Sequence, residues 1–254
     1  QINLTFRATD DKGMFVKDLQ AGEVEIVENN QRLSADALEL VNSGVQFIVA
    51  VNEGPTLANR YSGVSRLERI KTALYSWISA HDAQSLDEFR LFTNQGAVKL
   101  EPFQPADWSR AVENYQPDLR NQQPGVASLS SAVDAALSLS SQTKKTTAIL
   151  FITPLPHADQ YAGLKDIFTR AGQNGIHIFV WLVGPQDYAA AEDALKLKDF
   201  SEQTGGTFFL FSGSEELPAI TEMLDPLGYV YRLSYKTSLN ISGDYSLFIR
   251  ENFQ

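Results

Sequence analysis

Ile2, Leu4 and Phe6 alternate with polar residues, and residues 24–27 do so more loosely. That period of two predicts strands, separated by turn-forming runs such as TDDKG and NNQ. From Val45 the grammar changes. Val45–Val51, with five consecutive apolar residues from Phe47, is read as a short buried strand. Val64, Leu67, Ile70, Leu74, Trp77 and Ile78 follow at helical spacing. Residues 89–92 and 97–100 look like a strand pair joined by TNQG. Leu129, Val133, Ala136 and Leu137 mark a helix, with Ser131 and Asp134 spaced as in a capping box. Strands are predicted at 147–152, Ile176–Val183 and 207–211. Helices fall between them: Leu164, Ile167, Phe168 and Ala171 form one apolar face, residues 190–200 a second helix and 215–224 a third. Tyr229–Tyr235 and residues 245–249 then return to alternation.

Strands and helices that alternate from residue 45 to 227 define an α/β domain, a doubly wound, mostly parallel sheet with helices on both faces. The ends do not share this rhythm. Residues 1–44 with 228–254 are expected to form a small flanking β unit from both termini. The chain has 254 residues, 43% apolar and 20% charged, as in an ordinary globular protein. No apolar run approaches the length of a membrane span, so no direct membrane insertion by this segment is expected. The first residue is Gln1 rather than Met, as in a processed chain or a segment of a longer one.

The net charge of −10 argues against nucleic acid or an anionic membrane as partner, since both call for basic patches. The absence of cysteine excludes disulfides, thiolate metal sites and a cysteine nucleophile. There is no G-x-x-x-x-G-K phosphate loop, no G-x-G-x-x-G after the first strand and no G-x-S-x-G elbow. His81, His157 and His177 lie far apart. His177 sits inside an apolar strand, where a hydrogen-bonded structural histidine is the plainer reading, and His81 ends a helix. No constellation suggests hydrolysis or group transfer, and no cofactor is implied.

The order of elements, with the stretches VNEGPTLA, SRLERIKTALYSWI, PGVASLSSAVDAAL, AILFITP, FTRAGQNGIHIFVWLVG and FSEQTGGTFFLFSGSEEL, resembles the von Willebrand factor A-type domain. The stretch FRATDDKGMFVKDLQAGEVEIVENNQ is similar to a segment that precedes such domains in bacterial exported or membrane-anchored proteins. The resemblance implies a metal-ion-dependent adhesion site built from Asp-x-Ser-x-Ser in a first loop, Thr in a second and Asp in a third. Hard oxygen ligands and two carboxylates suit magnesium or calcium. Here the alignment places Asn52, Gly54 and Thr56 in the first loop, Ala127 with Ser128 beside it in the second, and Pro154 in the third. Both carboxylates are replaced. The resemblance therefore implies a degenerate site without metal, with Asn52, Glu53, Gly54, Thr56, Ala127, Ser128, Pro154 and Leu155 as candidate binding residues. The apolar run Pro154-Leu155-Pro156 hints at a contact surface.

The reading is a non-catalytic protein–protein interaction module, for adhesion or scaffolding, on a larger exported or surface-anchored bacterial protein, with an extracytoplasmic or cell-surface location by resemblance. Its partner is a protein of unspecified identity. One alternative is a metal-dependent adhesion domain with a rearranged magnesium or calcium site, completed by Glu53 or Asp159. Another is an enzyme on a similar sheet, since fold alone does not fix function.

Overall fold

A computed structural model describes residues 1–10, 15–82, 84–140, 145–237 and 247–251. The chain divides into two compact units, residues 1–43 with 228–254, and residues 44–227.

In the smaller unit the chain begins with β1 (Ile2–Phe6), β2 (Val24–Glu28), β3 (Gln31–Ser34) and β4 (Ala37–Asn42). Two further strands come from the far end, and in chain order they are β13 (Tyr229–Tyr235) and β14 (Leu247–Glu251). β13 lies between β1 and β4, and β2 lies between β14 and β3, all antiparallel. The termini therefore interleave: Ile2 faces Tyr235 and Phe6 faces Tyr231 across the ladder. The alternation read from the sequence has a direct cause. Val24, Ile26, Leu233 and Tyr235 point into a shared core with Ile2, Leu4 and Phe6, while the residues between them stay wetter. The predicted strand at 245–249 is found from Leu247, and residues 245–246 lie outside the described residues.

The larger unit is built on β5 (Val45–Val51), followed by α1 (Pro55–Ala58), a hairpin of β6 (Arg60–Tyr61) and β7 (Val64–Ser65), and α2 (Arg66–Ala80). Then come β8 (Glu88–Thr93), β9 (Gly96–Ala97), α3 (Pro105–Asn114), α4 (Ala127–Ser140), β10 (Thr146–Thr153) and α5 (Tyr161–Gln173). β11 (Ile176–Val183), α6 (Glu192–Gln203), β12 (Phe208–Phe211) and α7 (Ile220–Leu224) complete it. The sheet order is β12-β11-β10-β5-β8-β9, parallel except for the short edge strand β9.

Every residue of β5 is buried, because helices cover both faces of the sheet. Val45, Phe47, Val49 and Val51 pack with α2, α3 and α7. Ile48 and Ala50 pack with α4, α5 and α6 on the other side. The fold expected from periodicity, with helices on both faces and a small β unit from the termini, is the fold observed.

Several local expectations are corrected. Val64 belongs to the hairpin, whose turn residues Ser62 and Gly63 have φ of 49° and 83°, and α2 starts behind it. The capping box is Ser65 with Glu68: the Ser65 hydroxyl accepts from the Glu68 N–H at 3.1 Å, and the Glu68 carboxylate accepts from the Ser65 N–H at 2.9 Å. Ser131 caps nothing, because α4 already runs from Ala127. The strand expected at 97–100 ends at Ala97, and Leu100 is exposed. The helix expected from residue 215 begins at Ile220. The Glu215 carboxylate holds the preceding segment as a turn, accepting from the Ser212 N–H and hydroxyl, each at 2.7 Å, and Pro218 restricts Leu217 to extended backbone.

Interleaved termini have a covalent test. Thr5 and Arg232 face each other on the exposed side of the β1–β13 ladder. Directly opposed antiparallel residues lie about 4.5–5.5 Å apart at Cα, within disulfide range. Thr5→Cys with Arg232→Cys in this cysteine-free chain should oxidise to one intramolecular disulfide, seen as a reducible mobility shift on denaturing gels. Failure to cross-link under oxidant would contradict the pairing.

Candidate functional site

β8 lies to one side of β5 and β10 to the other, so the winding reverses between β5 and β10. Open α/β sheets bind ligands beyond the carboxyl ends of the strands at such a reversal. Asn52 follows β5 at that point, and Thr153 and Pro154 end β10 and begin its loop. The three loops singled out in the sequence do converge here.

Asn52 is fully buried and joins all three loops. Its Oδ1 accepts from the Gly125 N–H at 2.8 Å, just ahead of α4. Its Nδ2 donates to Thr153 Oγ1 at 2.8 Å, and the Thr153 hydroxyl donates to the Pro154 carbonyl at 2.6 Å. The Asn52 N–H extends the β5–β10 ladder onto the Ile152 carbonyl at 2.8 Å. Gly54 sits where no side chain fits. A Cβ there would lie 2.8 Å from Pro124 Cγ and 2.9 Å from Pro154 Cγ, so the two proline rings close over it. Gln160 braces the second loop, its Nε2 donating to the Pro124 carbonyl at 3.1 Å.

The other candidates divide. Pro154 and Pro156 are buried and Leu155 packs against the core under α4 and α5, so this run is not the exposed apolar surface its composition suggested. The prolines serve packing instead. Ala127 is exposed at the start of α4, and Asp159 is exposed in a short 3-10 turn, Ala158–Gln160. Thr56 Oγ1 and Ser128 Oγ are buried and have no hydrogen-bond partner.

Glu53 points elsewhere. Its Oε1 accepts from the Tyr115 hydroxyl at 2.6 Å, and its backbone N–H and carbonyl meet the side-chain amide of Asn94 at 3.2 and 3.4 Å. Burial, with the Glu53 carboxylate beside it, pushes the Tyr115 phenol far above its ordinary range. Tyr115, Asn94, Pro124, Gly125, Thr153 and Gln160 are parts of this arrangement that sequence reasoning missed. Of these, Pro124-Gly125 and Asn94 carry turn chemistry visible in the sequence, while nothing marks Tyr115 or Gln160.

A divalent cation does not fit these donors. Asn52 has spent its amide on protein partners, Gly54 and Pro154 offer no side-chain oxygen, and the rings of Pro124 and Pro154 fill the gap between the loops. Among the described residues no group of three or more His, Cys, Asp or Glu side chains is placed to hold a metal.

No protein-family model matches this chain, and no curated protein matches it. Among solved structures it is similar to an aerotolerance-related membrane protein from Bacteroides fragilis NCTC 9343 carrying multiple mutations to serine. That match has a TM-score of 0.52 at 13% identity, over 72% of this chain and 98% of the other. The conserved hypothetical protein BatB from Bacteroides thetaiotaomicron matches at a TM-score of 0.45 and 15% identity, over 66% of this chain and 90% of the other. At such identity the first likeness shows a shared fold alone. Among the described residues no helix is long and apolar enough to cross a membrane.

Two measurements check this geometry. Asn52→Ala should cost about 1–3 kcal/mol in urea unfolding, because buried Thr153 loses its donor and the half-buried Gly125 N–H its acceptor. Gly54→Ala should be destabilising by a similar amount, about 1–3 kcal/mol, through overlap with both prolines. Gly54→Ala in a Pro124→Ala, Pro154→Ala background should recover much of that loss. Wild-type stability after either change would contradict the close packing.

Proposed function

We propose that residues 44–227 are a non-catalytic protein-interaction domain of von Willebrand factor A type. In this reading its adhesion site has exchanged metal chemistry for direct contact between loops, and the chain belongs to a larger exported or surface-anchored bacterial protein. The wiring of Asn52 carries the reading. The residue aligned with the first metal-ligand carboxylate is an amide whose donor and acceptor both go to the neighbouring loops. The order of the family-like stretches supports the family assignment. A shared fold with a membrane protein of Bacteroides fragilis is compatible with an extracytoplasmic place.

A rearranged magnesium or calcium site is the second reading. It is favoured by one observation, the unpartnered hydroxyls of Thr56, at an aligned position, and of Ser128, beside the aligned Ala127. Neutral hydroxyls bring no charge to offset the dehydration of a divalent ion, which weighs against it.

The two readings differ in a melting experiment. The first expects a melting temperature unmoved by chelator or by millimolar magnesium, calcium or manganese, since a ligand that does not bind cannot stabilise. A clear, saturable rise would favour the second. Interaction itself is tested in the parent organism with a photo-crosslinking amino acid placed at exposed Ala127, at the carboxyl edge, or at exposed Asn174, at the opposite edge. A chelator-resistant cross-link to one protein from position 127 but not 174 is the expected result. Absence of a cross-link from 127, or equal cross-linking from both edges, would sink the interaction reading.

A further inference from the structure

Glu53 is the one carboxylate of the first loop, and it is only 4% exposed. Among the described residues its side chain makes one hydrogen bond, the one it accepts from Tyr115. Among the described residues no lysine, arginine or histidine pairs with it. Lys71, which meets the Tyr115 backbone, is committed there, with Nζ donating to the Glu113 and Tyr115 carbonyls at 2.7 and 2.8 Å. Glu53 Oε2 has no hydrogen-bond partner among the described residues, and the residue keeps a small exposure to solvent. A carboxylate withdrawn from water without a cation is costly, and one phenol satisfies only a fraction of its acceptor capacity.

We propose that Glu53 accepts the basic side chain, lysine or arginine, of a partner protein. The proposal rests on the interaction reading above and gives that partner a chemistry. A long aliphatic stem with its charge at the tip reaches a recessed oxygen, and one carboxylate suffices to hold it. A divalent ion is held best where several carboxylates converge, and among the described residues no group of three or more His, Cys, Asp or Glu side chains is placed to hold one. The net charge of −10 adds a long-range field that draws basic surfaces toward the chain.

Glu53→Gln in the full chain keeps the shape and the acceptor for Tyr115 and removes the charge. Its melting temperature should rise by about 2–4 °C, a modest stabilisation for a chain of this size. In nuclear magnetic resonance titrations, the Glu53 and Asn94 amides of the wild type should shift saturably with argininamide. They should not shift with the uncharged analogue citrullinamide, and Glu53→Gln should abolish the argininamide response. Tyr115→Phe, which removes the hydroxyl donor and leaves the charge, should keep that response. It serves as the second variant should Glu53→Gln misfold. A lower melting temperature for Glu53→Gln would make Glu53 a clamp for Tyr115 and overturn the proposal. So would no saturable shift, an equal response to citrullinamide, or saturation by magnesium chloride instead. A cross-link from position 127 that survives Glu53→Gln would overturn the basic-side-chain proposal and leave the interaction reading standing. Absence of that cross-link in the wild type would remove the interaction reading itself.

Discussion

The Asn52 side chain holds the carboxyl edge of the larger unit together. An amide presents a donor and an acceptor at once, and both are used: oxygen toward the Gly125 N–H, nitrogen toward Thr153 Oγ1. A carboxylate at this place has no donor for Thr153, whose own proton already goes to the Pro154 carbonyl. An amide, with a donor and an acceptor on one side chain, thus ties three loops to each other. Buried polar groups of this kind are stabilising only when every partner is present, which couples the three loops.

The rest of the edge follows from that tie. With the loops drawn together, Pro124 and Pro154 meet over Gly54, and the absence of a side chain there is a packing requirement. Gly54 has an extended backbone, φ −177°, so its glycine is explained by the space between the two rings and not by a left-handed conformation. The proline-rich third loop turns inward for the same reason. Successive residues at the end of β5 then diverge, Asn52 toward the second and third loops and Glu53 toward Tyr115 and Asn94. The neutral face and the buried charge are neighbours in sequence with separate surroundings.

Much of the fold was legible because its signals are local. β5 carries the apolar run Phe47–Val51, and β11 the apolar run Ile178–Val183. The helices α2 and α5 place Leu67, Ile70 and Leu74, and Leu164, Ile167 and Phe168, on faces that a period of 3.6 picks out. The elements missed were those with little period to read. The strands of the β6–β7 hairpin have two residues each. α3 buries only Trp108 and Val112. β4 exposes most of its length, so its alternation is faint. Glu215 stands in a sequence rich in helix formers, yet hydrogen bonds from Ser212 and Gln186 make it the centre of a turn. The candidate loops were placed by their order along the chain, which resemblance supplied, while their partners Tyr115 and Gln160 left no trace.

Hydrophobic periodicity depends on which residues sit on one face, and the chain alone determined that: a mostly parallel sheet covered on both sides and β segments at either end. Pairing between distant segments depends on shape and on which donors meet which acceptors, and only the folded chain decided it. β1 and β13 join residues more than two hundred positions apart, a choice no local pattern encodes. The inward turn of Pro154 and Pro156, the Gly54 space between two rings, and the direction of the Glu53 carboxylate all arise from contacts across the sheet's switch point. Composition names the groups available there, and three-dimensional packing selects which of them remain open to a partner.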